Sequence, residues 1–123
     1  MKIAFSILIF IHGLIHLLGF AKGFGLREVK ELTLPISKTM GLFWLIGALF
    51  FLIFCVLYLM NHQYSWLVGM AAVITSQILI ILFWQDAKFG TIPNIAVLLV
   101  SLMAFGSDNF QQLIQLETEL GFL

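Results

Sequence analysis

Charge is what this chain has least of. Of its 123 residues only 10% are charged, and six Lys/Arg against six Asp/Glu sum to zero. An ordinary soluble domain is about 25% charged. So few charges cannot cover the surface of a soluble fold of this size. A soluble globular enzyme and a disordered chain are excluded. So is a nucleic-acid partner, which would call for a basic patch. The single cysteine, Cys55, excludes an internal disulfide framework and any Cys-cluster metal site. It lies among Phe and Leu and reads as a small buried or lipid-facing hydrophobe. There are only two prolines. No Walker loop, dinucleotide fingerprint, Ser-His-Asp set or nucleophile elbow is present.

What the chain does have is apolar surface. Hydrophobic residues make up 62%, and the mean hydropathy is +1.11. They fall into four runs with the charges between them. A bilayer core needs roughly 20 apolar residues per helix, and lipid leaves backbone amides no partners outside their own segment. The expectation is therefore an all-α, polytopic membrane protein: a single domain holding a four-helix bundle, with helices near 3–20, 40–60, 64–84 and 91–106. The first run follows Met-Lys like a signal peptide. It is long for one, holds two histidines and lacks an A-x-A-like site, so it reads as a retained helix.

The connectors add detail. Gly23 and Gly25 are expected to break the helix after Phe20. Residues Leu26 to Leu32 put Leu26, Val29 and Leu32 on one face, which predicts an amphipathic interfacial segment within connector 21–39. Ser37 is placed to cap the second helix. Asn61-His62-Gln63 is so short that helices two and three must form a hairpin. Connector 85–90 holds Asp86 and Lys88, with Thr91 as an N-cap and Pro93 in the next first turn. After Gly106, Ser-Asp-Asn reads as a cap opening a short interfacial helix over about 108–121. Trp44, Trp66, Trp84, Tyr58 and Tyr64 sit near run ends, as an aromatic belt would. Connectors 21–39 and 85–90 carry five Lys/Arg (Lys22, Arg27, Lys30, Lys38, Lys88), and Lys2 stands alone on the other side. The positive-inside rule then puts those connectors in the cytoplasm and both termini outside.

Polar interruptions of the runs are the candidate chemistry. His12 and His16 are four apart and share a helix face. An ionisable residue at bilayer depth points to function by default. The readings are a haem or metal ligand, a hydrogen-bond donor to a quinone carbonyl, or a proton relay. The plainer alternative is two neutral side chains acting as interhelical glue, for which the neighbouring Gly13 and Gly19 provide close approach. His-x-x-x-His alone is a weak motif: the zincin form has Glu where this chain has Gly13. His62 lies at the surface, far in depth from His12. No second histidine faces the pair for bis-histidine haem, so Met70 or Met103 would have to be the other axial ligand. Thr75, Ser76 and Gln77 are consecutive and fan around helix three by about 100° each. Gln77 is costly to expose and is expected to bond His12 or His16. Gly69, Val73 and Ser76 mark the bundle-facing side. Asp86 reads as a surface cap or an ion pair with Lys88. The alternative is a polar mouth shared by Asp86, Lys88 and Asn94, the last needing a partner inside the boundary.

Gly19-Phe20-Ala21-Lys22 leaving helix one, the long connector, the tight hairpin between helices two and three and the polar turn before helix four together resemble the DoxX-like small four-helix membrane proteins. The resemblance covers most of the chain in layout. It implies a bundle in the bacterial inner membrane and, for some members, association with quinone-linked oxidoreductase complexes. The two histidines in helix one depart from that pattern, and no catalytic residue carries over.

Three functional readings follow. The first is a non-catalytic accessory or interaction subunit, as a homo-oligomer or with a membrane-protein partner in the lipid bilayer. The second is a binder of a hydrophobic redox ligand, quinone before haem, through His12, His16 and Gln77. The weakest is a small oligomeric transporter, which would show inverted repeats or broken helices.

Overall fold

A computed structural model describes residues 2–30 and 32–121, with the side chain of Asp108 excluded. Glu31, one of the connector charges named above, lies outside the described residues. The described residues form four long helices, one short helix and a 3-10 turn: α1 (Lys2–Gly23), α2 (Lys38–Leu59), α3 (Ser65–Leu82), the short α4 (Trp84–Ala87), the 3-10 turn (Lys88–Gly90) and α5 (Thr91–Glu119). Four spans are long and apolar enough to cross a membrane. The exterior is apolar as well: Ile7, Ile53, Ile74 and Leu99 are each about half exposed. A soluble monomer does not present so continuous an apolar surface.

The helix ends follow from local hydrogen bonding. α1 continues past Phe20 to Gly23, because the left-handed residue that terminates it is Gly25, with φ 67°. There the Leu26 N–H donates to the Ala21 carbonyl at 2.9 Å and the Gly25 N–H to the Lys22 carbonyl at 3.1 Å. That pair is a Schellman motif. α2 ends the same way: Asn61 takes φ 55°, His62 N–H reaches the Leu57 carbonyl at 2.9 Å and Asn61 N–H the Tyr58 carbonyl at 3.1 Å. This turn makes the expected hairpin, and Lys2 Nζ donates to the Asn61 side chain across it. Ser37 caps α2, its hydroxyl accepting from the Met40 N–H at 3.2 Å.

Four expectations are corrected. Between α1 and α2, residues 24–30 and 32–37 form no helix. Val29 is buried while Leu26 is 66% exposed, so they share no face; tertiary hydrogen bonds shape this strap rather than an amphipathic stripe. Thr91 is the first helical residue of α5, with Gly90 before it, and makes no cap. The tail is no separate helix: α5 runs unbroken through Gly106 and the Ser-Asp-Asn sequence for 29 residues. Trp44 is buried in the bundle, because the bare face of Gly19 makes room for its indole; it is not a belt residue.

α1, α2, α3 and α5 pack in sequential order, while α1 and α5 hardly meet. Glycines set the tight α1–α2 seam. A Cβ on Gly23 would lie 2.7 Å from Gly41 Cα, and one on Gly13 would lie 3.2 Å from Phe51 Cβ. Ile9, Phe51, Phe54, Ala72, Val73 and Val97 form the apolar core. Cys55 is buried beside it, its thiol directed at the Ser6 carbonyl. The poorly closed seam between α1 and α5 is where the polar residues gather.

Candidate ligand pocket

α1 contributes His12 and His16, α3 contributes Ser76 and Gln77, and α5 contributes Asn94 and Thr91. His12, His16, Ser76 and Asn94 are all at least 96% buried. Buried polar groups require partners, and these six residues provide them to one another.

Proton accounting through the network has one solution. His16 Nδ1 lies 2.8 Å from the His12 carbonyl. A carbonyl only accepts, so Nδ1 carries a proton. A second proton on this ring would bury a charge with no carboxylate bonded to it, which is costly; Nε2 is therefore bare. Ser76 Oγ, 2.8 Å away, donates its hydroxyl proton to it. Ser76 can then only accept from Asn94, so the group facing it at 3.0 Å is the Asn94 amide nitrogen. The other amide hydrogen goes to Gln77 Oε1 at 3.1 Å, and Gln77 Nε2 donates to Thr91 Oγ1 at 3.2 Å. Asn94 Oδ1 is left facing His12 Nε2 at 3.0 Å, so His12 donates from Nε2. In the neutral ring, Nδ1 of His12 is then bare. It makes no hydrogen bond among the described residues, and it is not sealed away.

His12 and His16 line a cavity of about 290 Å³. It occupies the gap between α1 and α5, with Ile15, Leu18, Ile80 and Pro93 as apolar walls. Its size is near the lower end of the roughly 300–1,000 Å³ typical of small-molecule sites. Trp44 also lines it, and the indole N–H of Trp44 is sealed without a partner. His16 is clamped: Phe51 and Trp44 rings lie 5.1 and 5.3 Å from it, centroid to centroid, and both its nitrogens are bonded.

The mouth is closed on one side by the strap. Asp86 accepts from the Thr33 hydroxyl, from the Thr33 N–H at 2.8 Å and from the Leu34 N–H at 2.8 Å. Lys22 Nζ donates to the Leu34 carbonyl at 2.6 Å and to the Leu32 carbonyl. The Thr33 hydroxyl, then the Leu34 N–H, hold the Asp86 carboxyl below the ordinary carboxylate range.

The sequence-predicted residues are thus partly gathered. His12, His16, Gln77 and Asn94 share one network, although Gln77 bonds Asn94 and Thr91 rather than a histidine. Asp86 lines the mouth but latches the strap and forms no ion pair with Lys88, whose ammonium lies over Phe89, 5.5 Å from the ring centroid. Lys88 does not line the pocket, and Asn94 sits deeper than a mouth residue. Sequence reasoning missed Ser76 as the direct partner of His16, and Thr91, Trp44 and the strap. The Ser at i−1 of Gln77 was a usable signal; the position of Trp44 was not. Met70 borders another crevice and Met103 is 73% exposed, so neither faces the histidines as an axial haem ligand. Among the described residues no three His, Cys, Asp or Glu side chains converge as a metal site. Comparison of the chain with protein-family models, with curated proteins and with solved structures finds no match.

Proposed function

We propose that this chain is a small multi-pass protein of the cytoplasmic membrane that holds the head of a quinone-class hydrophobic redox carrier. The observation that carries this is His12: its Nδ1 has no hydrogen bond among the described residues while its Nε2 joins the polar network, and the residue lines an apolar-walled cavity. Such a site suits a flat, apolar ring bearing one polar oxygen, with its tail passing between α1 and α5. The role is binding: the six polar residues satisfy one another and pair no nucleophile with a base. The DoxX-like layout points the same way.

The test is chemical. Protein purified in mild detergent is extracted with organic solvent and assayed for quinone by absorption before and after borohydride reduction. Roughly one quinone per few chains is expected, falling about tenfold in His12→Ala. No quinone above the detergent background, or equal retention by the variant, overturns the reading.

An accessory role beside a partner membrane protein is supported separately by α5. At about 1.5 Å per residue its 29 residues reach about 44 Å, beyond a core of about 30 Å. The overshoot still carries Phe110 and Leu113, each more than half exposed. Crosslinking in native membranes tests this; recovery of only uncrosslinked single chains argues against it.

A further inference from the structure

We infer that the pocket selects the reduced carrier, the quinol, over the quinone. The inference rests on the carrier-binding reading above and specifies which chemical form occupies the site. It follows from where the network begins. The His12 carbonyl can only accept, so His16 Nδ1 is protonated and its Nε2 is bare. Ser76 must donate there. Asn94 must therefore turn its NH2 to Ser76 and Gln77 and its oxygen to His12. Each step leaves one choice, and the last leaves His12, which lines the cavity, with a bare lone pair on Nδ1.

A bare imidazole nitrogen needs a donor. A hydroquinone has one in each O–H group. A quinone carbonyl has only lone pairs, and placing it against Nδ1 opposes two acceptors and leaves both unsatisfied. Reversing the preference means turning over the ring proton of His12, the Asn94 amide and the Ser76 hydroxyl together. That reversal is blocked at its far end by the backbone carbonyl of α1, which cannot become a donor. The fold thus encodes the hydrogen-bond polarity of the site through the backbone carbonyl of His12 itself, relayed by His16 one helical turn on. The binding step breaks no covalent bond: the quinol keeps both protons, and one O–H points at Nδ1.

The full chain in nanodiscs is titrated anaerobically with a decyl-chain benzoquinone and, separately, with its quinol, by calorimetry. The expected result is about tenfold tighter binding of the quinol. Ser76→Ala, which removes the donor to His16 and lets the Asn94 amide turn, should shrink that difference to about threefold or less. Equal affinities, or tighter quinone binding, overturn the selectivity while leaving the carrier-binding reading intact; binding of neither form overturns both. Because Ser76→Ala could fail to fold, the wild-type protein also supplies an independent readout. In 15N-histidine-labelled protein at neutral pH, His12 Nδ1 should give an unprotonated resonance that moves on adding quinol. A protonated Nδ1 in the ligand-free chain overturns the inference.

Discussion

Gly19 and Gly106 show how differently one residue type behaves in two places. A Cβ on Gly19 would overlap the buried ring of Trp44, whereas Gly106 has nothing within 4 Å. Alanine gains roughly 1 kcal/mol of helix propensity over glycine. At Gly19 the overlap outweighs that gain, because the indole is only 4% exposed and packed on Phe83 and His16, and overpacking costs about 1–3 kcal/mol. Gly19→Ala should therefore destabilise by about 1 kcal/mol or more, and Gly106→Ala should stabilise by about 0.5–1 kcal/mol. Reversible unfolding in mixed micelles reads both, and the opposite signs are the informative part. The residue scale also shows the limit of sequence patterning. Spacing of four residues is enough to place His12 and His16 on one face. It cannot say that His16 is fully bonded while His12 keeps a free nitrogen, because that depends on which atoms of α3 and α5 arrive opposite.

Among the elements, the strap between α1 and α2 departs furthest from expectation. Its sequence suggests a short helix lying on an interface, yet its described residues are held by two charged side chains from neighbouring elements, Asp86 and Lys22. The Asp86 carboxyl is held below its ordinary value of about 4. Its contribution is thus full above that ordinary value and is lost as the pH falls through the lower value of the folded state. The strap should stay latched at neutral pH and loosen only in acid. Asp86→Ala should reproduce the acid state at pH 7, with amide hydrogen exchange over residues 26–36 rising several-fold while α2 and α3 stay protected. Unchanged exchange in that segment would show that Lys22 alone suffices. Helix existence was legible here and helix limits less so. Gly25 and Asn61 end their helices by adopting positive φ, a local rule readable from sequence for Gly25. α5 runs through an apparent capping sequence because Ser107 takes helical backbone geometry, and a cap residue must not.

For the whole molecule, the zero net charge conceals a separation. Connector one carries Lys22, Arg27, Lys30 and Lys38 against Glu28 and Glu31, whereas the tail carries Asp108, Glu117 and Glu119. The topology expected from the positive-inside rule separates these populations, with the basic one on the cytoplasmic side. In a Cys55→Ser background, Arg27→Cys should react with an impermeant maleimide only after the membrane is opened, and Gln112→Cys should react in intact spheroplasts. The reverse pattern would invert the topology.

By itself the sequence determined that this chain forms four apolar helices joined by a long connector, a tight hairpin and a polar turn. Run length, charge spacing and local turn chemistry act within a few residues of one another, and they survive any rearrangement of the helices. Only the tertiary structure decided which polar side chains meet, that the α1–α5 seam stays open, and which nitrogen of His12 is left bare. Those outcomes depend on how helices rotate and approach once glycines let α1 close on α2, and on a hydrogen-bond chain linking residues up to 82 positions apart. Hydrogen bonds are directional and obey donor and acceptor counts, so one backbone carbonyl can set the chemistry of a pocket that no local pattern announces.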